Sequence, residues 1–295
     1  MMNIFGTSSQ ALFGQLLIGL INGSFYALLS LGLAVIFGLL NIINFAHGAQ
    51  YMMGAFVGYL LLQKLGLGYW WALALTPLIV GMIGLVIERF MLSRLKQVDH
   101  LYGLMLTFGI GLMIQGLFLS KFGAIGQPYP IPPELAGGKS LGFMFLPYYR
   151  IWVIGASLFT CLATWYLIER TKLGGYLRAA TENPALVQAF GVNVPRMVTL
   201  TYGFGVGVAA LGGVMAAPMY QVSPLMGADL IIVVFAVVVI GGMGSILGSI
   251  ITGFGLGVVE GLTKVFYPEA SNTVIFVMMA LVLLVKPSGL FGSQK

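Results

Sequence analysis

Only 7% of the 295 residues are Asp, Glu, Lys or Arg, 59% are hydrophobic, and the formal net charge is +6. A soluble domain carries roughly 25% charged residues, so this chain cannot coat a water-soluble globule, and its mean hydropathy of +1.00 agrees. Uncharged stretches of about 20 residues, the length that crosses a bilayer's hydrocarbon core, make it an all-α, polytopic integral membrane protein. The basic excess then reports which loops stay inside, not contact with nucleic acid.

Apolar spans are predicted at about 11–38, 43–63, 70–90, 101–119, 150–168, 198–220, 229–258 and 272–286. That is a helical bundle of about 8 transmembrane helices in a single domain, 1–295. The first charged residue is Lys64, so the opening apolar run lacks the basic start of a cleaved signal peptide and is expected to be retained as a span. After it, LLNIINFAHGAQ (Leu39–Gln50) places Asn41, Asn44, His47 and Gln50 between two apolar runs, a first break. His47 is read as a neutral imidazole bonded to a backbone carbonyl. A proton relay needs acidic partners at depth, and no acid precedes Glu88.

The polar intervals orient the bundle. With Glu88–His100, the insert 169–197 and the C-terminus in the cytoplasm, Arg89, Arg94, Lys96, Arg170, Lys172, Arg178, Arg196, Lys286 and Lys295 lie inside, nine of the fourteen basic residues. The Pro- and Gly-rich segment 121–150 is then external. Cys161, the only cysteine, lies in an apolar run and excludes an intrachain disulfide.

Within the insert, GGYLRAATENPALVQAFGVNVPR (Gly174–Arg196) reads as two short helices. Arg178 and Glu182 are spaced to pair at i,i+4. Asn183 followed by Pro184 is a helix start, and Gly191 suits a left-handed stop. Leu186, Val187 and Phe190 form a short apolar stripe on a knob too small to be a domain, so the stripe wants a partner.

Near the far end, VIGGMGSILGS (Val239–Ser249) interrupts the span 229–258 with glycines that disfavour helix by about 1 kcal/mol each. A cytoplasmic C-terminus follows if 229–240 enters and turns back as a re-entrant element lining a pathway; a kinked lipid-facing helix is the alternative. The breaks at Leu39–Gln50 and Val239–Ser249 fit the pattern of transporters with paired discontinuous helices. Asp229 is expected to serve as a cap or dipole partner at a helix start, with substrate contact as the alternative, and Glu260 to pair with Lys264 one turn on. The 42 glycines recur at four-residue spacing (Gly19/Gly23, Gly54/Gly58, Gly203/Gly207, Gly253/Gly257/Gly261). Small residues so spaced let helices approach closely, either within one subunit or between subunits.

Four stretches together resemble the permease subunits of ATP-binding cassette (ABC) importers, specifically the H-type of the branched-chain amino acid class. In the insert these are Gly174, Arg178-Ala179-Ala180, Glu182-Asn183-Pro184 and Gly191-Val192-Asn193; the others are Asn22–Phe56, Gly241–Gly253 and Lys286–Gly292. One departure is visible: where the family has a Pro-Leu-Arg turn after Glu88-Arg89, this chain reads Ser93-Arg94-Leu95-Lys96. The resemblance implies an inner-membrane subunit translocating branched-chain amino acids or related small polar solutes. Its implied partners are a second permease subunit as a heterodimer, two cytoplasmic ATPase subunits and a periplasmic solute-binding protein. It makes the insert the coupling surface: Gly174, Leu177, Arg178, Ala179, Ala180, Glu182, Asn183, Pro184, Leu186, Val187, Phe190, Gly191, Val192 and Asn193.

The chain has no G-x-x-x-x-G-K-[ST] phosphate loop, so ATP is expected on the partner subunits and no cofactor in this chain. Nor does it carry an H-E-x-x-H motif, a cysteine–histidine pair or clustered acids, so neither catalysis nor a metal site is expected. The translocation path is assigned to Asn22, Ser24, Asn44, His47, Gly48, Gly241, Gly242, Gly244 and Ser245. An ion-coupled secondary transporter of amino acids is the competing reading; it needs ionisable groups at mid-membrane, where His47 alone is available.

Overall fold

The computed structural model describes residues 3–4, 7–40, 43–95, 100–140 and 145–292; Asn41, Lys96 and Lys295, used above, lie outside them. A two-residue hairpin, β1 (Asn3–Ile4) with β2 (Thr7–Ser8), leads into α1 (Ser9–Leu40), α2 (His47–Leu65), α3 (Tyr69–Phe90) and α4 (His100–Phe122). A second hairpin, β3 (Gly138–Ser140) with β4 (Phe145–Pro147), precedes α5 (Tyr148–Glu169). The insert forms α6 (Lys172–Glu182) and α7 (Pro184–Ala189). Then come α8 (Val194–Ala216), α9 (Ala228–Gly241), α10 (Ile246–Phe266) and α11 (Val274–Val285). Among the described residues six helices are long and apolar enough to cross a membrane, and α9 and α11 are shorter apolar ones.

Paired contacts fix the directions. On α1, Gly32 meets Gly205 of α8 while Leu29 meets Gly212, so these helices are antiparallel; Gly19 meets Gly257 and Gly261 of α10 while Gly38 meets Gly244, again antiparallel. On α2, Gly54 meets Ala210 and Gly58 meets Val214, so α2 runs parallel to α8. Gly81 of α3 lies against Gly203, and Glu88 accepts a hydrogen bond from Thr199, which brings the end of α3 to the insert. The bundle therefore has an insert end, with α6 and α7, and a loop end, with 121–147.

α1 is the central post. Of its most apolar window 83% is buried, against 11% for α4, which leaves α4 at the periphery. Its neighbours come close because glycine faces glycine. A Cβ built on Gly257 would lie 2.3 Å from the Gly19 carbonyl oxygen and 2.4 Å from the Gly23 Cα, and one on Gly54 2.2 Å from the Ala210 carbonyl oxygen. The four-residue glycine spacing thus serves packing within this chain, where lipid supplies no hydrophobic drive and backbone proximity must substitute.

The run 229–258 departs from expectation. It is two antiparallel helices, α9 and α10, separated at Gly242–Ser245. Gly242 and Gly244 have φ of 98° and 87°, which side chains rarely adopt, and Ser245 caps α10 through its bond from the Gly248 amide, 3.0 Å. The turn back occurs, but at the insert end, because α9 begins midway along the bundle, where Gly227 abuts Gly48. Its 14 residues span about 21 Å, and the non-helical stretch 217–227 completes the passage from the loop end. The C-terminal turn closes this corner: the Leu290 and Phe291 amides bond the Ile240 and Gly241 carbonyls at 2.8 and 3.1 Å. The C-terminal segment therefore lies at the insert end.

At the loop end, residues 121–140 and 145–147 are folded onto the bundle. Gln127 and Val222 exchange backbone hydrogen bonds of 2.8 and 2.9 Å, and the Trp70 indole donates to Glu134, 3.3 Å. The Tyr149 hydroxyl donates to the Met215 carbonyl, 2.8 Å, and the Trp152 indole to the Tyr69 hydroxyl, 3.1 Å. Tyr and Trp with such polar tips favour the membrane–water boundary.

Gly257→Ala is expected to cost about 1–3 kcal/mol through overpacking against α1, read as a lower thermal midpoint of the detergent-solubilised monomer. An unchanged midpoint would show that this face does not hold the subunit together.

Candidate functional site

The insert is a folded-back appendage with a packed base and a bare tip. Gly174 sits against the end of α5 so closely that a Cβ would fall 1.6 Å from the Ile168 carbonyl oxygen. Leu177 is buried beside it, and Ala180, Val187 and Val194 make a small apolar core with Met197 and Val198. Arg178 does not pair with Glu182. It turns back to α5, placing Nη1 3.1 Å from Glu169 Oε2 and 3.3 Å from the Ile168 carbonyl oxygen. A guanidinium gains more at a helix C-terminus, with free carbonyls and a carboxylate together, than from one exposed i,i+4 partner. The pair is exposed and adds little Coulomb energy by itself; its role is to hold α6 in place.

The breaks follow the local sequence. The Asn183 side chain accepts the Leu186 amide, 3.0 Å, capping α7 with Pro184 at its first position, and Asn193 accepts the Arg196 amide, 3.1 Å, to start α8. Gly191, at φ 85°, supplies the left-handed residue between them. The predicted apolar stripe is split: Val187 faces inward, while Leu186 is 54% and Phe190 79% exposed. A helix of six residues cannot put three such positions on one face and still bury an anchor. Ala179, Glu182, Asn183 and Pro184 are also exposed, and Val192 is half-buried.

The residues assigned to the path do not share one space. Ser24 is fully buried and donates to the Leu20 carbonyl, 2.8 Å, a packing role. His47 Nε2 lies 3.0 Å from the Leu29 carbonyl, the backbone bond expected, so the proton sits on Nε2. Asn44 donates to Gln50 Oε1, 2.9 Å, and Gln50 to the Tyr202 hydroxyl, 3.3 Å; together these brace the mid-bundle start of α2. Gly48 is pressed on Gly227, and Gly241 and Gly242 lie beneath the C-terminal turn, where Gly242 leaves no room for a Cβ against Gly292. Gly244 abuts Gly38, and Ser245 is occupied as a cap. The glycine cluster is thus a packed corner and not an open lining, because the tail KPSGLFG folds over it.

Asn22, among the residues assigned to the path, lines a cavity. It has about 350 Å³ and is lined by α1, by Tyr51 of α2, by the stretch 220–226 and by the first turn of α9. Beneath it lies a polar knot. The Tyr220 hydroxyl donates to Asn22 Oδ1, 3.1 Å; Asn22 Nδ2 donates to Glu260 Oε1, 3.3 Å; Tyr26 donates to Glu260 Oε2, 2.7 Å. Lys264 Nζ completes the expected local pair, 2.5 Å from Glu260 Oε1. A buried carboxylate costs several kcal/mol unless paired and hydrogen-bonded, and Glu260 has three such contacts, one from each of three side chains. Tyr26 follows Asn22 by one turn, so its face was readable from spacing; Tyr220 and Glu260 join only through the fold. Asp229, in the first turn of α9, is exposed at the cavity, consistent with its dipole role. Among the described residues no three His, Cys, Asp or Glu side chains gather to hold a metal.

Known proteins share this chain's pattern over nearly its full length. The family described as "Branched-chain amino acid transport system / permease component" matches residues 15–283. The high-affinity branched-chain amino acid transport system permease protein LivH of Salmonella typhimurium is 30% identical, covering 94% of each chain. BraD of Pseudomonas aeruginosa, described in the same words, is 30% identical over 94% of this chain and 95% of its own. LivM of Salmonella typhimurium, a permease protein of the same kind of system, is 28% identical over 90% of this chain and 67% of its own. On these matches, and with its bundle of apolar helices, this multi-pass membrane protein belongs to the branched-chain amino acid transport system permease family.

Proposed function

We propose that this chain is the inner-membrane permease subunit of an ABC importer, translocating branched-chain amino acids or related small polar solutes. A periplasmic binding protein delivers the solute, a second permease subunit of the LivM kind pairs with this one, and two cytoplasmic ATPase subunits bind and hydrolyse ATP. The insert end is the cytoplasmic end, as its lysines and arginines indicate, and the C-terminus lies there too.

The observation that carries this reading is the bare tip on the fixed base. Phe190 and Leu186 stand exposed at the end of an appendage whose root is clamped by Gly174, Leu177 and Arg178. An aromatic residue this exposed, next to a second apolar one, is what an anchor filling a partner's pocket looks like before the partner arrives. Because α6 packs on α5 and α7 leads by the Asn193 cap into α8, a push on the tip reaches both helices. α8 in turn lies against α1, α2 and α3. ATP-driven closure of the partner subunits would thereby rock the bundle between outward- and inward-open states.

Three outcomes are expected. Phe190→Asp lowers copurification of the ATPase subunits while membrane insertion is unchanged; full retention of those subunits removes the docking assignment. Asn183→Ala loosens the knob by about 1 kcal/mol and reduces uptake less than Phe190→Asp does, measured in the assembled transporter. A cysteine placed at Arg178 is labelled by impermeant reagent from the cytoplasmic side alone, and one at Ser140 from outside alone; reversed labelling inverts the topology and ends this mechanism.

A further inference from the structure

We propose that the 350 Å³ cavity between α1, α2 and the start of α9 is a transit site for a small apolar amino acid, with Asp229 as the counter-charge of its ammonium group. The proposal rests on the permease reading and adds to it a place and a recognition chemistry.

Four features of the cavity converge. Its size falls within the ~300–1000 Å³ of small-molecule sites. Of its lining residues only Asp229 carries a charge, and Asp229 makes no ion pair or hydrogen bond among the described residues. Glu260 beneath is matched by Lys264 and saturated by Asn22 and Tyr26, so the charge that the lining residues themselves present to a guest is the Asp229 carboxylate. The walls include the rings of Phe25, Tyr26, Tyr51 and Tyr220, with Phe25 and Tyr220 edge-to-face at 5.9 Å. Aromatic faces attract ammonium groups and also shelter aliphatic chains.

The remaining features fit the other parts of such a molecule. Tyr51 is 1% exposed and lines the cavity, yet its hydroxyl has no hydrogen-bond partner among the described residues. A hydroxyl that faces the cavity without a protein partner is free to bond a polar guest. Helix α9 begins after Gly227 without a side-chain cap, so backbone amides of its first turn, which lines the same space, remain available as donors to a carboxylate. Met226 and Leu230 supply an apolar wall for a branched side chain. A bare metal ion is not matched, since one carboxylate among aromatic rings is too few oxygen ligands.

The test uses the purified chain in lipid nanodiscs and three probes with one carbon skeleton: L-leucine, 3-methylbutylamine without the carboxylate, and 4-methylpentanoate without the ammonium. Leucine and the amine are expected to raise the thermal midpoint with concentration, and the acid not to. Asp229→Asn should weaken leucine by about tenfold, while Asp229→Glu restores it. Equal binding of 4-methylpentanoate, no shift with any probe, or an Asp229→Asn variant that binds leucine as before overturns the proposal. In the assembled transporter Asp229→Asn should lower ATP-driven leucine uptake with the ATPase subunits still bound. Absence of such uptake in the unaltered complex defeats the permease reading itself; uptake insensitive to Asp229→Asn defeats the site alone.

Discussion

The close approach of helix backbones around α1 is the constraint from which the rest follows. In lipid an apolar side chain gains nothing by leaving its neighbours for another helix, so association depends on how many atoms touch. Gly19, Gly23, Gly32 and Gly38 let α10 and α8 settle onto α1 at distances that no Cβ would permit. With α1 held in this way, α2 and α3 are positioned by their own contacts to α8, and α4 is left at the edge.

That same dryness governs the polar residues. A backbone interrupted at membrane depth must have its amides and carbonyls satisfied by protein. The start of α2 at mid-bundle is therefore surrounded by His47 on the Leu29 carbonyl, the Asn44–Gln50–Tyr202 chain, and Thr107 receiving the Phe45 amide at 3.2 Å. Gly227, where α9 starts, meets Gly48 at this level. The bundle thus brings two helix starts together and places a polar-rimmed cavity beside them. The Glu260 knot ties the stretch 217–227 to α1 and α10, so the cavity's wall is fixed to the central post rather than hung from a loose loop.

The insert follows a different logic, since on the proposed function it meets water rather than lipid. Its base is made rigid by contacts that tolerate no substitution in size, Gly174 above all, and by an arginine whose partner is the helix it leaves. Its tip leaves Leu186 and Phe190 exposed. Stiffness at the root and an exposed apolar end are the two properties the proposed lever needs, and they reside on adjacent short helices.

Much of this was legible in the chain alone. Hydropathy located most of the apolar helices, since crossing a bilayer demands a run of fixed length, though the run 229–258 proved to be two helices. The capping pair Asn183-Pro184 and the stop at Gly191 declared themselves because capping is a local bond between near neighbours. Spacing also announced the glycine faces and the Glu260–Lys264 pair. Which faces meet was another matter: that Gly19 finds Gly257, that Arg178 prefers Glu169 over Glu182, that Val187 turns inward, and that KPSGLFG buries the glycine cluster read as a pathway. Those choices depend on competition among partners distant in sequence, and a polar side chain takes whichever one folding brings within 3 Å. Periodicity determines which face a residue occupies; only the assembled bundle decides what that face touches, and so whether Asn22 lines a cavity while Ser24, two residues on, is sealed in the core.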